Sequence, residues 1–537
     1  MGGLVIIAIA SIRLFHLDLK PYWNDEVYTL LRLSGATKLE IYQSLGPRIH
    51  HLGELAHYQW LQQSTGFQEL VNGLILDDVH PPLYFALAWL TVKTFPGSDL
   101  TLRWLSVVLS IALIPMVYGL SQELWRSRAV SYVATLLFTA SPIFTLYAQE
   151  ARPYPLLCLL NVGSSWLLLS LIKHPRKGGW FAYAGLSTLG LYCHTLYYLT
   201  LASQCVFIQA LNFYHLITPE RRIRRQQLIA IGAAIGGFVP WLIYVLWVQQ
   251  TQGQGLSIIL GANYTWNPFP MGLVLEKLWL SLTTTIYDFV HPYKTVVLSA
   301  IDFNPELFGN LPPLAWGHWS TMAIITIGII VAIAYTLKSS PLTPALFLVS
   351  LALPFCVFMA KDFLIEGYAT SIIRYHLPTV LIIYLSLAYG IGQWSQSTVP
   401  WQKFMAIAIA MVIIQTEVWS TVVSVQTPTW WNRAEDYTLP AVFTAIKQIP
   451  NPMLLVDDDP RLMVRLLILG HHLNLPFQLI NPEKLNEAIA QGQNQGYENF
   501  LFFKASSGMK AQLSQVSMGQ LTAIEVQQDC FHLDLRL

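Results

Sequence analysis

The sequence predicts an α-helical polytopic membrane body of about 11 spans followed by a small soluble α/β domain. Three observations carry that prediction. The 537 residues are 54% hydrophobic and only 11% charged, whereas a soluble globular protein carries about 25% charged residues. The apolar residues gather in stretches of near-spanning length rather than scattering. Charge then returns towards the end, where 19 of the 111 residues 427–537 are Asp, Glu, Lys or Arg, against 42 of the preceding 426. Such a composition excludes a soluble enzyme, a disordered chain and a fibrous one. The net charge of +1 excludes a general basic surface for nucleic acid. The five cysteines, four of them in or beside apolar runs, form no disulfide framework.

A spanning helix needs about 20 largely apolar residues. The candidates are 3–15, 101–120, 129–147, 154–173, 179–193, 196–217, 227–248, 319–337, 342–360, 373–395 and 403–423. The first is short, as it would be if part of that helix lay upstream of Met1. It lacks a basic start and a small-residue cleavage site, so it reads as a retained anchor. Residues 81–96 make a helix of about 22 Å at ~1.5 Å per residue, too short for a ~30 Å core. With Trp89 and Lys93 it reads as an interfacial helix. The short loops after alternate spans are then all basic: Arg126 and Arg128; Lys173, Arg176 and Lys177; Arg221, Arg222, Arg224 and Arg225; Lys338; Lys403. Short basic loops stay in the cytoplasm. The long segments 16–100 and 249–318, three short turns and the tail fall on the outer side.

Ionisable groups from separate parts of the chain gather at that outer level. The first loop opens with Trp23-Asn24-Asp25-Glu26 and closes with Asp77-Asp78-Val79-His80-Pro81-Pro82. Tyr147-Ala148-Gln149-Glu150-Ala151-Arg152-Pro153-Tyr154 forms the second outer turn, His194 sits in the third, and Lys361, Asp362, Glu366 and Arg374 surround the last. Each has a plain structural alternative: acidic residues cap helices, Glu150 and Arg152 pair locally, and Arg374 snorkels to headgroups. Ionisable residues at membrane depth are nonetheless costly and functional by default. A carboxylate serves as general base towards a hydroxyl, and an arginine holds a phosphate by paired hydrogen bonds. The chemistry that fits is displacement at a carbon bearing a lipid-phosphate leaving group. No Walker A sequence, HExxH or Cys/His metal spacing is present in the sequence.

Four motifs occur in order: Trp23-x-Asp25-Glu26, His80-Pro81-Pro82-Leu83-Tyr84, Gln149-Glu150-Ala151-Arg152-Pro153-Tyr154 and Arg374-Tyr375-x-Leu377-Pro378. Over residues 3–425 the chain resembles the bacterial branch of glycosyltransferase family 39, with the protein O-mannosyltransferases and the lipid A aminoarabinose transferase as relatives. All are C-type (GT-C) membrane glycosyltransferases. The resemblance implies an enzyme that takes a hexose or pentose from a polyprenyl-phosphate donor and transfers it with inversion, outside the cytoplasm. The acceptor would be a lipid, glycan or protein hydroxyl. It implies Asp25 as catalytic base with Glu26 supporting it or meeting the acceptor, and Arg374, then Arg152, on the donor phosphate. Asp78, His80, Glu150, Tyr154, His194 and Tyr375 would line the substrate cavity. No metal ligand is assigned; a divalent cation near Asp77 and Asp78 stays open, as metal dependence differs among C-type enzymes. The long, His-rich loop 16–80 (His50, His51, His57) and the tail are departures from the family pattern.

In the tail, Pro428 and Trp430-Trp431 mark the membrane exit. Met453–Val456 reads as a buried strand ending in Asp457-Asp458-Asp459, with a helix over 460–470 and extended runs at 500–504, 521–526 and 531–536. Alternating strands and helices predict a separate α/β domain. The triple aspartate is either a ligand site at a strand end or a solvated loop with a helix cap. Three other functions compete for the whole chain. A flippase or transporter would want inverted repeats and charges near the midplane; a glycan polymerase or ligase of the same type would present the same outer face; a scaffold would have no use for the charged rim.

Overall fold

The computed structural model describes residues 2–46, 48–59, 66–76, 79–95, 100–216, 220–251, 271–288, 316–365, 369–515, 520–525 and 530–534. Each predicted span is mostly helical over its described residues, the third in two pieces. Among the described residues seven helices are long and apolar enough to cross a membrane: Leu100–Trp125, Tyr154–Lys173, Ile223–Thr251, Trp319–Ser339, Leu342–Leu364, Ile373–Ser395 and Pro400–Val425. An eighth span arises if the bent pair Arg128–Ala140 and Pro142–Ala148 is one unit. Gly2–Leu14, Lys177–Cys193 and Tyr197–Phe213 are shorter. The chain is a multi-pass helical membrane protein with a small sheet-containing region at its C-terminal end.

The bent pair shows how local chemistry shapes the body. The residue before a proline avoids the helical conformation, and Ser141 is extended at φ −52°, ψ 121° before Pro142. The chain turns by 55° there. A break inside a membrane strands carbonyls that water cannot reach. Arg13 Nη2 donates to the carbonyls of Phe138 and Thr139 at 3.2 and 3.3 Å, and Thr421 Oγ1 to that of Ala140 at 3.0 Å. Ser141 Oγ restarts the helix by accepting the Phe144 amide.

The body has two distinguishable ends. Leu100–Trp125 and Tyr154–Lys173 run from the predicted rim to the basic loops, where Lys173 pairs with Glu123 at 3.0 Å. At the same end Trp125 donates to Ser340 and Gln396 to Ser127. The rim motifs lie at the opposite ends of these helices. The short helix after His80-Pro81-Pro82 covers Leu83–Thr94 and is tied to the Leu100–Trp125 span by Tyr84 and Ser106, 3.1 Å apart.

The tail forms the bulk of a six-stranded sheet: β1 (His50–His51), β2 (Pro452–Asp457), β3 (Pro476–Ile480), β4 (Asn499–Phe502), β5 (Gln520–Glu525) and β6 (Cys530–Asp534), in the order β1-β3-β2-β4-β6-β5. The β3-β2-β4 core is parallel, and the outer strands are antiparallel. Side chains alternate across a strand. Met453, Leu455, Phe500 and Phe502 face one cluster with Leu485 and Met509, while Leu454, Val456, Leu501 and Phe477 join the core that continues to the membrane body. The edge strand β1 comes from the first outer loop: His50 faces Phe477, and the Leu52 amide donates to Leu475 at 2.8 Å. Loop and tail are thus one folded layer. The triple aspartate is spent on loop structure: Asp457 accepts the Ser506 amide and hydroxyl, Asp458 the Tyr42 hydroxyl, and Asp459 caps and pairs with Arg461.

Helix packing in the body uses small residues for close approach. A Cβ on Gly392 would sit 2.7 Å from the Val130 Cα, whereas one on Gly236 meets nothing within 4 Å. Alanine gains about 1 kcal/mol of helix propensity over glycine, but forcing backbone apart costs about 1–3 kcal/mol. Gly392→Ala is therefore expected to lower the melting temperature in detergent, and Gly236→Ala to leave it unchanged or raise it, as read by thermal unfolding.

Candidate active site

The rim is organised by the helix Asn24–Ser34. Acidic residues in a first turn favour helix starts, and Asp25 and Glu26 occupy that turn. Trp23 precedes it in an extended conformation and offers no side-chain cap. The cap comes instead from the tail, where Asp436 Oδ2 accepts the Asn24 amide at 2.7 Å. Neighbouring residues on a helix point about 100° apart, so Asp25 and Glu26 meet different surroundings.

Glu26 points inward and is fully buried. Its carboxylate receives two parallel bonds from Arg103, at 2.8 and 2.7 Å. The Ala151 amide donates to it at 2.9 Å, and Arg433 lies 3.7 Å away. Burial pushes its pKa up, but Arg103 outweighs burial and the net shift is downwards, keeping Glu26 ionised. Arg103 also donates to the carbonyls of Leu17, Lys20 and Pro21, and stacks 4.4 Å over Tyr22. Thr29 and the Asp25 carbonyl tie the same helix to the 149–153 turn, through Ala151 at 3.0 Å and Arg152 at 3.1 Å.

Asp25 is 16% exposed at its side chain and faces two guanidinium groups. Arg152 Nε and Arg374 Nη2 both approach its Oδ2, at 3.8 and 3.7 Å. Burial pushes its carboxyl up, but Arg374, Arg152 and Arg32 outweigh burial and hold it below the usual aspartate range. Arg374 keeps 21% of its side chain exposed and stacks 5.8 Å over Trp23 and 5.6 Å over Tyr375. Tyr154 lies 6.0 Å beneath Arg152, and its ring is also 6.0 Å from that of His194. Burial, then Arg152 and Arg374, push His194 down to about 3, so the imidazole is neutral near pH 7. Its Nδ1 accepts the Leu196 amide at 3.1 Å, which leaves the proton on Nε2.

The structure therefore brings together Asp25, Arg152, Arg374, Tyr154, Tyr375 and His194 from four separate stretches. Glu150 sits just behind, 1% exposed, with its carboxyl raised to about 7 by burial and by the Glu26 carboxylate. His80 is half-buried against Phe85. Asp77, Asp78 and Glu366 lie outside the described residues. Among the described residues no three His, Cys, Asp or Glu side chains are grouped to hold a metal ion.

Three groups escape the sequence reading: Arg103, Arg433 and Asp436. Arg103 was visible as a lone cation in an apolar stretch, the pattern that marks a paired intramembrane charge. Arg433 and Asp436 sit in an unremarkable polar stretch after Trp430-Trp431. Removing one partner of a buried ion pair costs about 3–5 kcal/mol, while replacing both by apolar groups is often neutral. Arg103→Met is thus expected to lose folded protein, and Arg103→Met with Glu26→Leu to recover part of it, as measured by monodisperse yield and melting temperature.

Comparison with known proteins adds the following. Residues 79–247 match the family described as dolichyl-phosphate-mannose-protein mannosyltransferase. No curated protein sequence matches the chain at a significant level. Among solved structures, ArnT from Cupriavidus metallidurans bound to undecaprenyl phosphate aligns at 10% identity and a TM-score of 0.49, over 99% of this chain and 97% of that one. The Archaeoglobus fulgidus oligosaccharyltransferase tethered with an acceptor peptide aligns at 11% identity and a TM-score of 0.45, over 97% of this chain and 72% of that one. The likeness to a family is thus carried by residues 79–247, a stretch that holds Arg103, Glu150, Arg152, Tyr154 and His194 and leaves Asp25 and Arg374 outside it: it is similar to the dolichyl-phosphate-mannose-protein mannosyltransferases.

Proposed function

We propose that this protein is an integral-membrane glycosyltransferase. It takes a sugar from a polyprenyl-phosphate-linked donor and transfers it with inversion to a hydroxyl of a lipid, glycan or protein outside the cytoplasm, at the outer face of a bacterial inner membrane. One observation supports this most: a partly open aspartate held between two arginines at the rim of a membrane helical body. The similarity of residues 79–247 to a family named for a lipid-phosphate sugar donor agrees with it.

In the proposed reaction Arg374, with Arg152, holds the donor phosphate. The acceptor oxygen attacks the anomeric carbon, the carbon–oxygen bond to phosphate breaks, and Asp25 takes the acceptor proton. The phosphate leaves as the lipid monophosphate, its charge met by the arginines. Two carboxylates compete for the role of base. Glu150, its pKa raised to about 7 by burial, is better matched to neutral pH, but it is 1% exposed. Asp25 is reachable, so access decides for Asp25. A donor phosphate held between Arg374 and Arg152 would offset the positive charge that depresses the Asp25 carboxyl. Glu26, with both oxygens engaged, supports Asp25 rather than meeting the acceptor. The neutral His194 offers an N–H to a sugar hydroxyl, and Tyr154 and Tyr375 wall the cavity.

Comparing lipid-linked sugars and surface glycans in a deletion strain identifies both substrates: the donor accumulates and its sugar disappears from the acceptor. Asp25→Asn is expected to abolish transfer by a normally inserted protein; normal turnover by it would end the assignment. Arg374→Ala is expected to weaken undecaprenyl phosphate binding, read by intrinsic tryptophan fluorescence through Trp23; unchanged affinity would remove the phosphate role. Removing a positive neighbour raises a carboxyl. The acid limb of kcat/KM for the wild type is therefore expected below the ordinary carboxylate range, and that of Arg152→Gln at higher pH, in initial-rate profiles with the donor so identified.

A further inference from the structure

We propose that the C-terminal domain is a positioning element of the active site, acting through Arg433 and Asp436 on the helix that carries Asp25. This rests on the reading of Asp25 as the base. The helix Asn24–Ser34 has no cap of its own; its first amide is satisfied by Asp436, whose side chain is 1% exposed. A carboxylate at a helix N-terminus both bonds the orphan amide and favours the helix dipole. Asp436 is in turn gripped by Arg465, from the tail helix Met463–His472. Three residues before it, Arg433 donates to the Pro21 carbonyl, just ahead of the helix, and reaches Glu26 at 3.7 Å.

The segment that carries these two residues, Trp431–Thr438, is itself anchored on the membrane body. The indoles of Trp430 and Trp431 each donate to one oxygen of Asp288 at 2.8 Å, and the Asp288 amide donates to Ser420 in the last span. The connector thus touches the body on one side and the tail on the other, and between them fixes the start of the Asp25 helix. Arg433 and Asp436 contact the helix start, Glu26 and Arg465, whereas Arg152 and Arg374 flank Asp25. Their expected effect is on where Asp25 points, not on whether a phosphate binds.

The test uses full-length protein carrying Asp436→Ala, Asp436→Asn or Arg433→Met. Hydrogen exchange over residues 22–30 needs no substrate. Asp436→Ala is expected to speed exchange there at least tenfold, whereas Asp436→Asn, which keeps a capping oxygen, stays near wild type. Undecaprenyl phosphate should bind Asp436→Ala within about threefold of wild type, a margin worth well under 1 kcal/mol, while restoration of the surface glycan in the deletion strain falls at least tenfold. Wild-type exchange in Asp436→Ala overturns the proposal, as does a loss of phosphate binding that matches the loss of transfer. Asp436→Asn guards against a misfolded alanine variant: if it exchanges and transfers no better than Asp436→Ala, capping is not the cause. If the wild type restores no glycan while Asp436→Ala still exchanges faster, the glycosyltransferase reading fails and the positioning of the helix stands.

Discussion

The buried pair of Glu26 and Arg103 is the interaction on which the rim depends. Taking two charges out of water costs several kcal/mol per ion unless every lone pair and proton finds a partner. Here the carboxylate takes two bonds from Arg103 and one from Ala151, with Arg433 beside it. The guanidinium spends its other protons on three carbonyls of the 17–21 turn. The first turn, the Asn24–Ser34 helix, the Leu100–Trp125 span, the 149–153 turn and the C-terminal connector meet at one carboxylate. Such a pair contributes little net stability; what it supplies is register, because each element can satisfy the pair in only one place.

The same logic runs through the membrane body. The span Pro400–Val425 carries Glu417, Ser420, Thr421 and Ser424, spaced to share one face, and all four are buried. Ser420 accepts from the Asp288 amide, Thr421 donates to the Ala140 carbonyl, and the Ser424 carbonyl accepts from Lys20 Nζ. Irregular backbone is tolerated at membrane depth only where protein re-satisfies it. This stripe, with Arg13, is what permits a break in the third predicted span. That break in turn delivers the 149–153 turn to the rim.

The body was legible because its signals are dense: long apolar runs fix the helices, and charge in them is rare enough to stand out. That scarcity also made Asp25, Arg152 and Arg374 legible, since few other charges occupy the outer rim. What could not be read is pairing across distance. Asp25 and Glu26 are adjacent and chemically alike, and nothing local says which faces the two rim arginines and which is clamped; Arg103, 77 residues from Glu26, decides it. The tail strands β2, β4, β5 and β6 were visible as apolar runs. β1 was not, because two histidines carry no strand pattern and become a strand only through the edge that β3 offers. The triple aspartate drew attention as a possible ligand site, and its partners Ser506, Tyr42 and Arg461 place it among turns and caps.

The hydrogen bond from Asn24 to Asp436 joins residues 412 positions apart. Chains are synthesised at about 5–20 residues per second, so about 20–80 seconds separate the appearance of the two ends of that bond. During this interval the aspartate-bearing helix and the β1 edge are already made, while the strand, the cap and Arg433 do not yet exist. The rim is finished only once residues 433–436 have been made. A truncated or stalled product would carry every membrane span and both rim arginines and still have an unsecured helix start. Completion of the rim is thereby tied to synthesis of the segment that carries Arg433 and Asp436.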